Sequence, residues 1–270
     1  MKLEFPTRNY NCSDKYKIIF IHVPRTGGGT INNLLEIPRE EQGHRAPWEI
    51  RIGIDPGKWE EYDKVVMCRN PWDRMVSLFN YRINKGYDTR TKYDSSTFRN
   101  WLVNPELDKF SGELERLPVW TIINQPNYGT MKNLDWFTNS TYKLTVIPFE
   151  TMCDSWVTWC LKTDREELAG KAHNHFKTTF INKTERKNYK EYYDDFTKVM
   201  VYGKFQIDQW MWGYDYELGG RPSFEEIRTS IANNKNIPID SINDKYVNLD
   251  IHGDKKFTKL LDEKEAVLMR

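Results

Sequence analysis

The 270-residue chain contains no long hydrophobic run near its start. The apolar stretch Ile18 to Ile21 is far shorter than the roughly 20 residues that a transmembrane helix needs. The opening residues, MKLEFPTRNY, also lack the apolar segment of a secretory signal. These features predict a cytoplasmic protein without membrane insertion.

Cysteine pairs and an excess of charge of one sign are missing as well. The four cysteines include no CxxC pair and no metal-type spacing, so we expect small core residues and no metal site. The 40 Lys and Arg side chains nearly balance the 39 Asp and Glu side chains. This balance argues against a general nucleic-acid partner, although a local basic pocket remains open.

What the chain does have is an alternation of short β-branched runs with helical patterns. Strands are predicted at Lys17–Val23, Lys64–Cys68 and Tyr142–Ile147, and helices from Ile31, from Pro71 and over 151–162. This order favours an α/β fold, a three-layer sandwich with a central, mostly parallel sheet flanked by helices. The Gly219–Pro222 stretch separates a predicted α/β domain, 1–218, from a C-terminal extension, 219–270, which ends in a predicted amphipathic helix, Phe257 to Leu268.

A glycine-rich loop, Pro24-Arg-Thr-Gly-Gly-Gly-Thr30, stands between the first predicted strand and its helix. Consecutive glycines let backbone N–H groups approach an anion closely, and the start of a helix adds partial positive charge. Arg25 can reach anionic oxygens and Thr30 can supply a hydroxyl. Such a turn, taken alone, could equally be a simple connection.

The loop differs from the phosphate loop of nucleotide hydrolases. No Lys-Ser or Lys-Thr pair follows its last glycine. The second predicted strand is followed by Arg69, where a magnesium-binding aspartate would be expected in such enzymes. A cation at this position argues against magnesium-dependent phosphoryl transfer and suits a further bound phosphate.

Four segments together resemble the sulfotransferases that use 3′-phosphoadenosine 5′-phosphosulfate (PAPS). Ile21–Thr30 resembles their 5′-phosphosulfate loop, and Arg69–Ser77 resembles their 3′-phosphate motif, an arginine followed by a serine eight residues later. Gly43–Arg51 resembles the segment with the catalytic histidine, and Pro148–Glu150 resembles a strand-to-helix junction. With the closing segments Asn182–Tyr193, Phe205–Asp208 and Gly213–Tyr214, the likeness covers roughly residues 15 to 217. It is closest to the branch of the carbohydrate 2-O-sulfotransferases and their bacterial relatives.

The resemblance implies a P-loop-NTPase-like fold and in-line transfer of a sulfuryl group from PAPS to a hydroxyl of a saccharide acceptor. The product of the donor would be 3′-phosphoadenosine 5′-phosphate (PAP). His44 is implied as the catalytic base and Arg25 as the second catalytic residue, with no metal. The implied donor-binding residues are Arg25, Thr26, Gly27, Gly28, Gly29, Thr30, Arg69, Ser77, Lys183 and Arg186. We expect two separated anion pockets, one at the glycines and one at Arg69 and Ser77, to hold opposite ends of one nucleotide.

Arg25 departs from the family pattern, which usually has a lysine there. Arginine offers a planar fork of donors, whereas lysine delivers a compact charge. This difference leaves open a non-catalytic relative that binds nucleotides or glycans. A P-loop kinase or hydrolase is the other alternative. His22, at the end of the first strand, is interpreted as a structural residue.

Overall fold

A computed structural model describes residues 10–85, 95–103, 116–123, 144–179 and 186–217. These residues form one four-stranded sheet whose spatial order follows the chain. The strands are β1 (Cys12–Ser13), β2 (Ile18–Ile21), β3 (Asp63–Cys68) and β4 (Leu144–Pro148). β1 pairs antiparallel with β2, while β2, β3 and β4 are parallel. The predicted α/β class with a mostly parallel sheet is confirmed.

The described part of the chain contains ten α-helices. They are α1 (Gly28–Leu34), α2 (Pro47–Gly53), α3 (Pro56–Glu61), α4 (Pro71–Asn84), α5 (Ser95–Val103), α6 (Val119–Ile123), α7 (Met152–Lys162), α8 (Glu166–Thr178), α9 (Asp195–Lys204) and α10 (Gln206–Trp212). None of the described helices is long and apolar enough to cross a membrane.

Successive side chains of a strand point to opposite faces of the sheet, and here helices cover both faces. One face packs against α2, α3, α6 and α10, through Ile50, Trp59, Ile122 and Trp212. The other packs against α1, α7 and α8, through Leu34, Trp156 and Leu168. Strand residues buried on both faces explain the continuous apolar runs in the sequence. The arrangement is compatible with a three-layer sandwich.

Helix α4 extends from the end of β3 and carries the Arg69–Ser77 motif past the sheet edge. The side-chain oxygen of Asn70 accepts hydrogen bonds from the backbone N–H of Trp72 and of Asp73, at 3.0 and 3.2 Å, which caps the helix. Pro71 occupies the first turn, as predicted, where a missing N–H costs nothing.

The first helix was predicted to begin at Ile31 but begins at Gly28. Of the three glycines, only Gly27 takes a left-handed conformation, and the backbone N–H of Thr30 donates to its carbonyl at 3.0 Å. Two of the three glycines therefore belong to the first turn of α1 rather than to the loop. The predicted boundary at Gly219 and the predicted helix at 257–268 lie outside the described residues.

Candidate anion site and catalytic histidine

The loop between β2 and α1 contains two residues with positive φ. Gly27 has φ of 88°, which glycine adopts without steric cost. Arg25 has φ of 64°, a left-handed conformation that costs a non-glycine residue on the order of 1 kcal/mol or more. Such strain persists only where neighbouring residues impose it. Contacts with neighbouring residues therefore hold Arg25 in this conformation.

Arg69, between β3 and α4, and Arg74, in the first turn of α4, hold the loop backbone. Nη1 of Arg69 donates to the carbonyl of Arg25 at 2.9 Å, and Nε of Arg74 donates to the carbonyl of Pro24 at 3.0 Å. Arg74 is fully buried and also donates to the carbonyl of Leu117 at 2.7 Å. The second motif of the sequence therefore fixes the conformation of the first.

Three N–H groups converge on the hydroxyl oxygen of Ser77. Nη2 and Nε of Arg25 lie 3.0 and 3.2 Å from this Oγ, and Nη1 of Arg69 lies 3.3 Å from it. A serine oxygen has two lone pairs, so the donors exceed the acceptors at this point. An excess of cationic donors that are buried or partly buried favours binding of an anion.

The positive charges near Ser77 are only partly balanced. Arg69 donates from Nη2 to Oδ2 of Asp73 at 2.6 Å, and Arg186 pairs with Oδ1 of the same carboxylate. Although burial opposes it, these two cations lower the pKa of Asp73. Among the described residues, Arg25 forms no ion pair with a carboxylate. Burial and then the charge of Arg69 lower the pKa of Arg25 to about 10, so it stays charged at neutral pH.

Phe149 connects the two motifs from the end of β4. The guanidinium of Arg69 lies 4.1 Å from the centre of its ring, in cation–π geometry. A methyl group added to Gly27 would come within 3.0 Å of the same ring. Next to it, the carboxylate of Glu150 accepts from the backbone N–H of Asn70 at 2.7 Å and from the hydroxyl of Tyr214 at 2.9 Å. These contacts keep the ends of β3 and β4 together.

His44 lies beside the loop in a segment that is tied to the N-terminal strand region. The backbone of Gly43 exchanges two hydrogen bonds with the side-chain amide of Asn11, at 2.7 and 2.8 Å. His44 itself keeps solvent access, yet protein crowds its ring. Partial burial, and then the charges of Arg25, Arg74 and Arg82, lower the pKa of His44 to about 4. The imidazole is therefore neutral at pH 7 and able to accept a proton.

The structure brings Arg25, Gly27, Arg69 and Ser77 together, but it gives other predicted ligands different partners. The hydroxyl of the fully buried Thr26 donates to the carbonyl of Val23 at 2.9 Å, so it serves the loop. Thr30 is buried in α1. Arg186 pairs with Asp73, as described above. Lys183 lies outside the described residues.

The two predicted anion pockets adjoin each other rather than standing apart. Arg69 contacts both the backbone of Arg25 and the hydroxyl of Ser77, so one side chain belongs to both pockets. The two predicted pockets therefore share the side chain of Arg69, and their binding of opposite ends of one nucleotide stays a prediction. The pockets adjoin since α4 starts at the same sheet edge as the loop, because β2 and β3 are adjacent and parallel.

Asp73 and Phe149 take part in the site and were missed from the sequence. Asp73 follows Arg69 by four residues at the start of a helix, a spacing that signals an ion pair. The position of Phe149 depends on strand pairing across some 80 residues of chain, and no local pattern reveals it.

Within the described part of the chain, no group of three or more His, Cys, Asp or Glu side chains is placed to hold a metal ion. Comparisons with protein-family models, with curated proteins and with solved structures found no match. The functional assignment therefore depends on the residues and their geometry.

Proposed function

We propose that this protein is a sulfotransferase with a P-loop-like donor site, which moves a sulfuryl group from PAPS to a hydroxyl of a carbohydrate. One observation carries the proposal: the side chains of Arg25 and Arg69 meet at the hydroxyl of Ser77, beside the Gly27 turn. This arrangement offers cationic donors to both ends of a nucleotide that bears phosphates at its 3′ and 5′ positions.

The residues present fit such a donor. The Gly27 turn and Arg25 would hold its 5′-phosphosulfate, and Arg69 with Ser77 would hold its 3′-phosphate. Because Asp73 engages Nε and Nη2 of Arg69, Nη1 of Arg69 is directed toward Ser77 and the loop. The adjoining pockets suit one compact ligand with two anionic ends better than two independent anions.

Sulfuryl transfer needs a base, stabilisation of negative charge and a sulfuryl group. The bound donor would supply the sulfuryl group. His44 is neutral at pH 7 and would take the proton of the acceptor hydroxyl. Arg25 would stabilise negative charge on the departing phosphate, since it has no carboxylate partner among the described residues. Trp48, half-buried in α2 four residues after His44, offers an aromatic surface of the kind on which a sugar can stack.

A specific contact argues against the phosphoryl-transfer alternative. Arg69 occupies the position after β3 where a magnesium ligand would be needed, and it directs its guanidinium to the loop. A cation there would repel a magnesium ion. We therefore expect neither magnesium-dependent ATP hydrolysis nor kinase activity.

The experiment is a transfer assay with PAPS labelled on sulfur, a panel of saccharide acceptors, and EDTA in a parallel set. We expect labelled saccharide in both sets. His44→Ala should reduce the rate at least about a hundredfold, a usual size for loss of a general base, with PAP affinity nearly unchanged. The exposed His173, replaced by Ala, is the matched control.

Three results of this assay would be decisive against parts of the proposal. Full turnover in His44→Ala would remove the base assignment. PAP binding without transfer to any acceptor would favour the non-catalytic relative. Magnesium-dependent hydrolysis of ATP would favour the phosphoryl-transfer alternative.

A further inference from the structure

His22 occupies the space beside the first turn of α1. A Cβ atom on Gly28 would lie 1.9 Å from Cδ2 and 2.0 Å from Nε2 of the His22 ring, so the ring would have to move away. Gly28 is helical and has no need of glycine for its backbone angles. A glycine at this position therefore makes room for the histidine ring.

Asn32, one turn along α1, orients the ring of His22. Its amide Nδ2 lies 3.3 Å from Nδ1 of His22, and Asn32 is fully buried. This contact between the Asn32 side-chain amide and Nδ1 fixes the orientation of the His22 ring against α1.

The His22 ring lies between two other rings. Phe20 stacks on it from β2, with centroids 5.6 Å apart and an interplanar angle of 26°. His44 meets it in an edge-to-face arrangement, with centroids 4.4 Å apart and an angle of 74°. This is the one ring that the structure gives as a partner of His44 among the described residues.

We propose that His22 is a positioning residue for His44: held by Asn32 and by the space at Gly28, it supports the His44 ring in the orientation needed for proton transfer. This inference depends on the proposed role of His44 as the base. It assigns His22 no contact with the substrate.

The contacts of the His22 ring, with Asn32, with the space at Gly28 and with the rings of Phe20 and His44, indicate that it acts through packing. Burial, and then the neighbouring His44 and Arg25, lower the pKa of His22 to about 3. His44 faces Arg25 from the loop and Arg74 and Arg82 from α4. His22 therefore stays neutral wherever His44 can work as a base.

The test compares His22→Leu, which removes the ring, with His22→Phe, which keeps a ring of similar size. We expect His22→Leu to lower kcat at least about tenfold per PAP-binding site, with the Kd for PAP within about threefold, since ring packing orients the base and does not bind the donor. His22→Phe should recover most of kcat. His173→Leu, at an exposed histidine, is the matched control.

An NMR titration of His44, with labelled histidine, separates positioning from mere structure. In His22→Leu the pKa of His44 should rise from about 4 toward its ordinary value, because loss of the His22 ring leaves the His44 ring less enclosed by protein. Gly28→Ala should produce the same change while retaining His22, because the new Cβ displaces its ring. Gly28→Ala can replace His22→Leu in this test if His22→Leu does not fold.

A kcat of His22→Leu equal to that of the wild type overturns the inference. So does a decrease in kcat that only matches the decrease in folded protein, with the pKa of His44 unchanged. The NMR readout needs no turnover. If the wild-type protein transfers no sulfate, the proposed function fails, whereas an unchanged His44 titration in the variants rejects the packing role by itself.

Discussion

Oγ of Ser77 lies 3.0 Å from Nη2 of Arg25, although 52 residues separate the two in the chain. Arg25 belongs to the loop before α1, and Ser77 lies two turns into α4, so their contact joins the two motifs that the sequence places far apart. Arg25, the donor in this bond, has no carboxylate partner among the described residues. Its guanidinium is therefore already oriented toward the proposed anion site.

Ser77→Ala tests the 3′-phosphate pocket. The variant removes a hydroxyl donor and leaves Arg69, so PAP should bind about tenfold more weakly, while adenosine 5′-phosphate should be affected little. Calorimetric titrations with both nucleotides give the ratio. Ser13→Ala is the control, since Ser13 is also buried and donates to a backbone carbonyl, that of Leu35 at 2.8 Å. An unchanged preference for PAP in Ser77→Ala would contradict the assignment.

Arg25→Lys tests the departure from the family pattern. Lysine keeps the charge but loses the two-nitrogen contact with Ser77 and the packing of the guanidinium on Tyr81, whose ring centre lies 4.4 Å away. We expect turnover within about tenfold of wild type for Arg25→Lys and a loss of at least about a hundredfold for Arg25→Met, which removes the charge. Steady-state rates with labelled PAPS measure both. Equal rates for the two variants would mean that the charge of Arg25 plays no part.

The pKa of His44 should respond to the donor product. In the free protein it lies at about 4, lowered by burial and by nearby arginines. PAP brings negative charge next to Arg25, which favours the protonated imidazole, so the pKa should rise in the complex. Binding of PAP then takes up protons and becomes tighter as the pH falls through the interval between the two values. NMR titration of His44 with and without PAP measures the shift. A pKa that is unchanged or lower in the complex would place the phosphates away from His44.

Gly27→Ala should destabilise the protein through the backbone. The left-handed φ of 88° is strained for alanine, and the new methyl group would meet Phe149 at 3.0 Å. We expect a loss of about 1–3 kcal/mol in the free energy of unfolding, measured with denaturant. Gly203→Ala is the opposite control, because Gly203 lies within α9 with no atom within 4 Å of the added carbon. There alanine should stabilise by up to about 1 kcal/mol. Equal effects at the two sites would contradict the conformation of the loop.

The three parallel strands were predictable from the sequence, because a sheet covered on both faces needs uninterrupted apolar runs such as Ile18–Ile21. The two-residue strand β1 has no such run and was not predicted. The start of α1 was predicted three residues late. Glycine is a poor helix former, so a run of glycines reads as a loop, and only the structure distinguishes Gly27, which takes the positive φ, from Gly28.

For the candidate site, the Arg69–Ser77 pair was implied by the resemblance to the sulfotransferases, and the structure places Nη1 of Arg69 3.3 Å from Oγ of Ser77. Relationships between elements were not predictable. The packing of His22 on His44, and the place of Phe149 beneath Arg69, follow from the pairing of distant strands and from the shape of the loops. A single sequence carries no local signal for either contact.

Calorimetric titration of the protein with PAP, without magnesium, tests the central claim most directly. The account predicts that PAP binds at least about tenfold more tightly than adenosine 5′-phosphate or adenosine 3′-phosphate, because each of these reaches only one of the two adjoining cationic pockets. Equal affinity for all three nucleotides, or no binding of PAP, would contradict it.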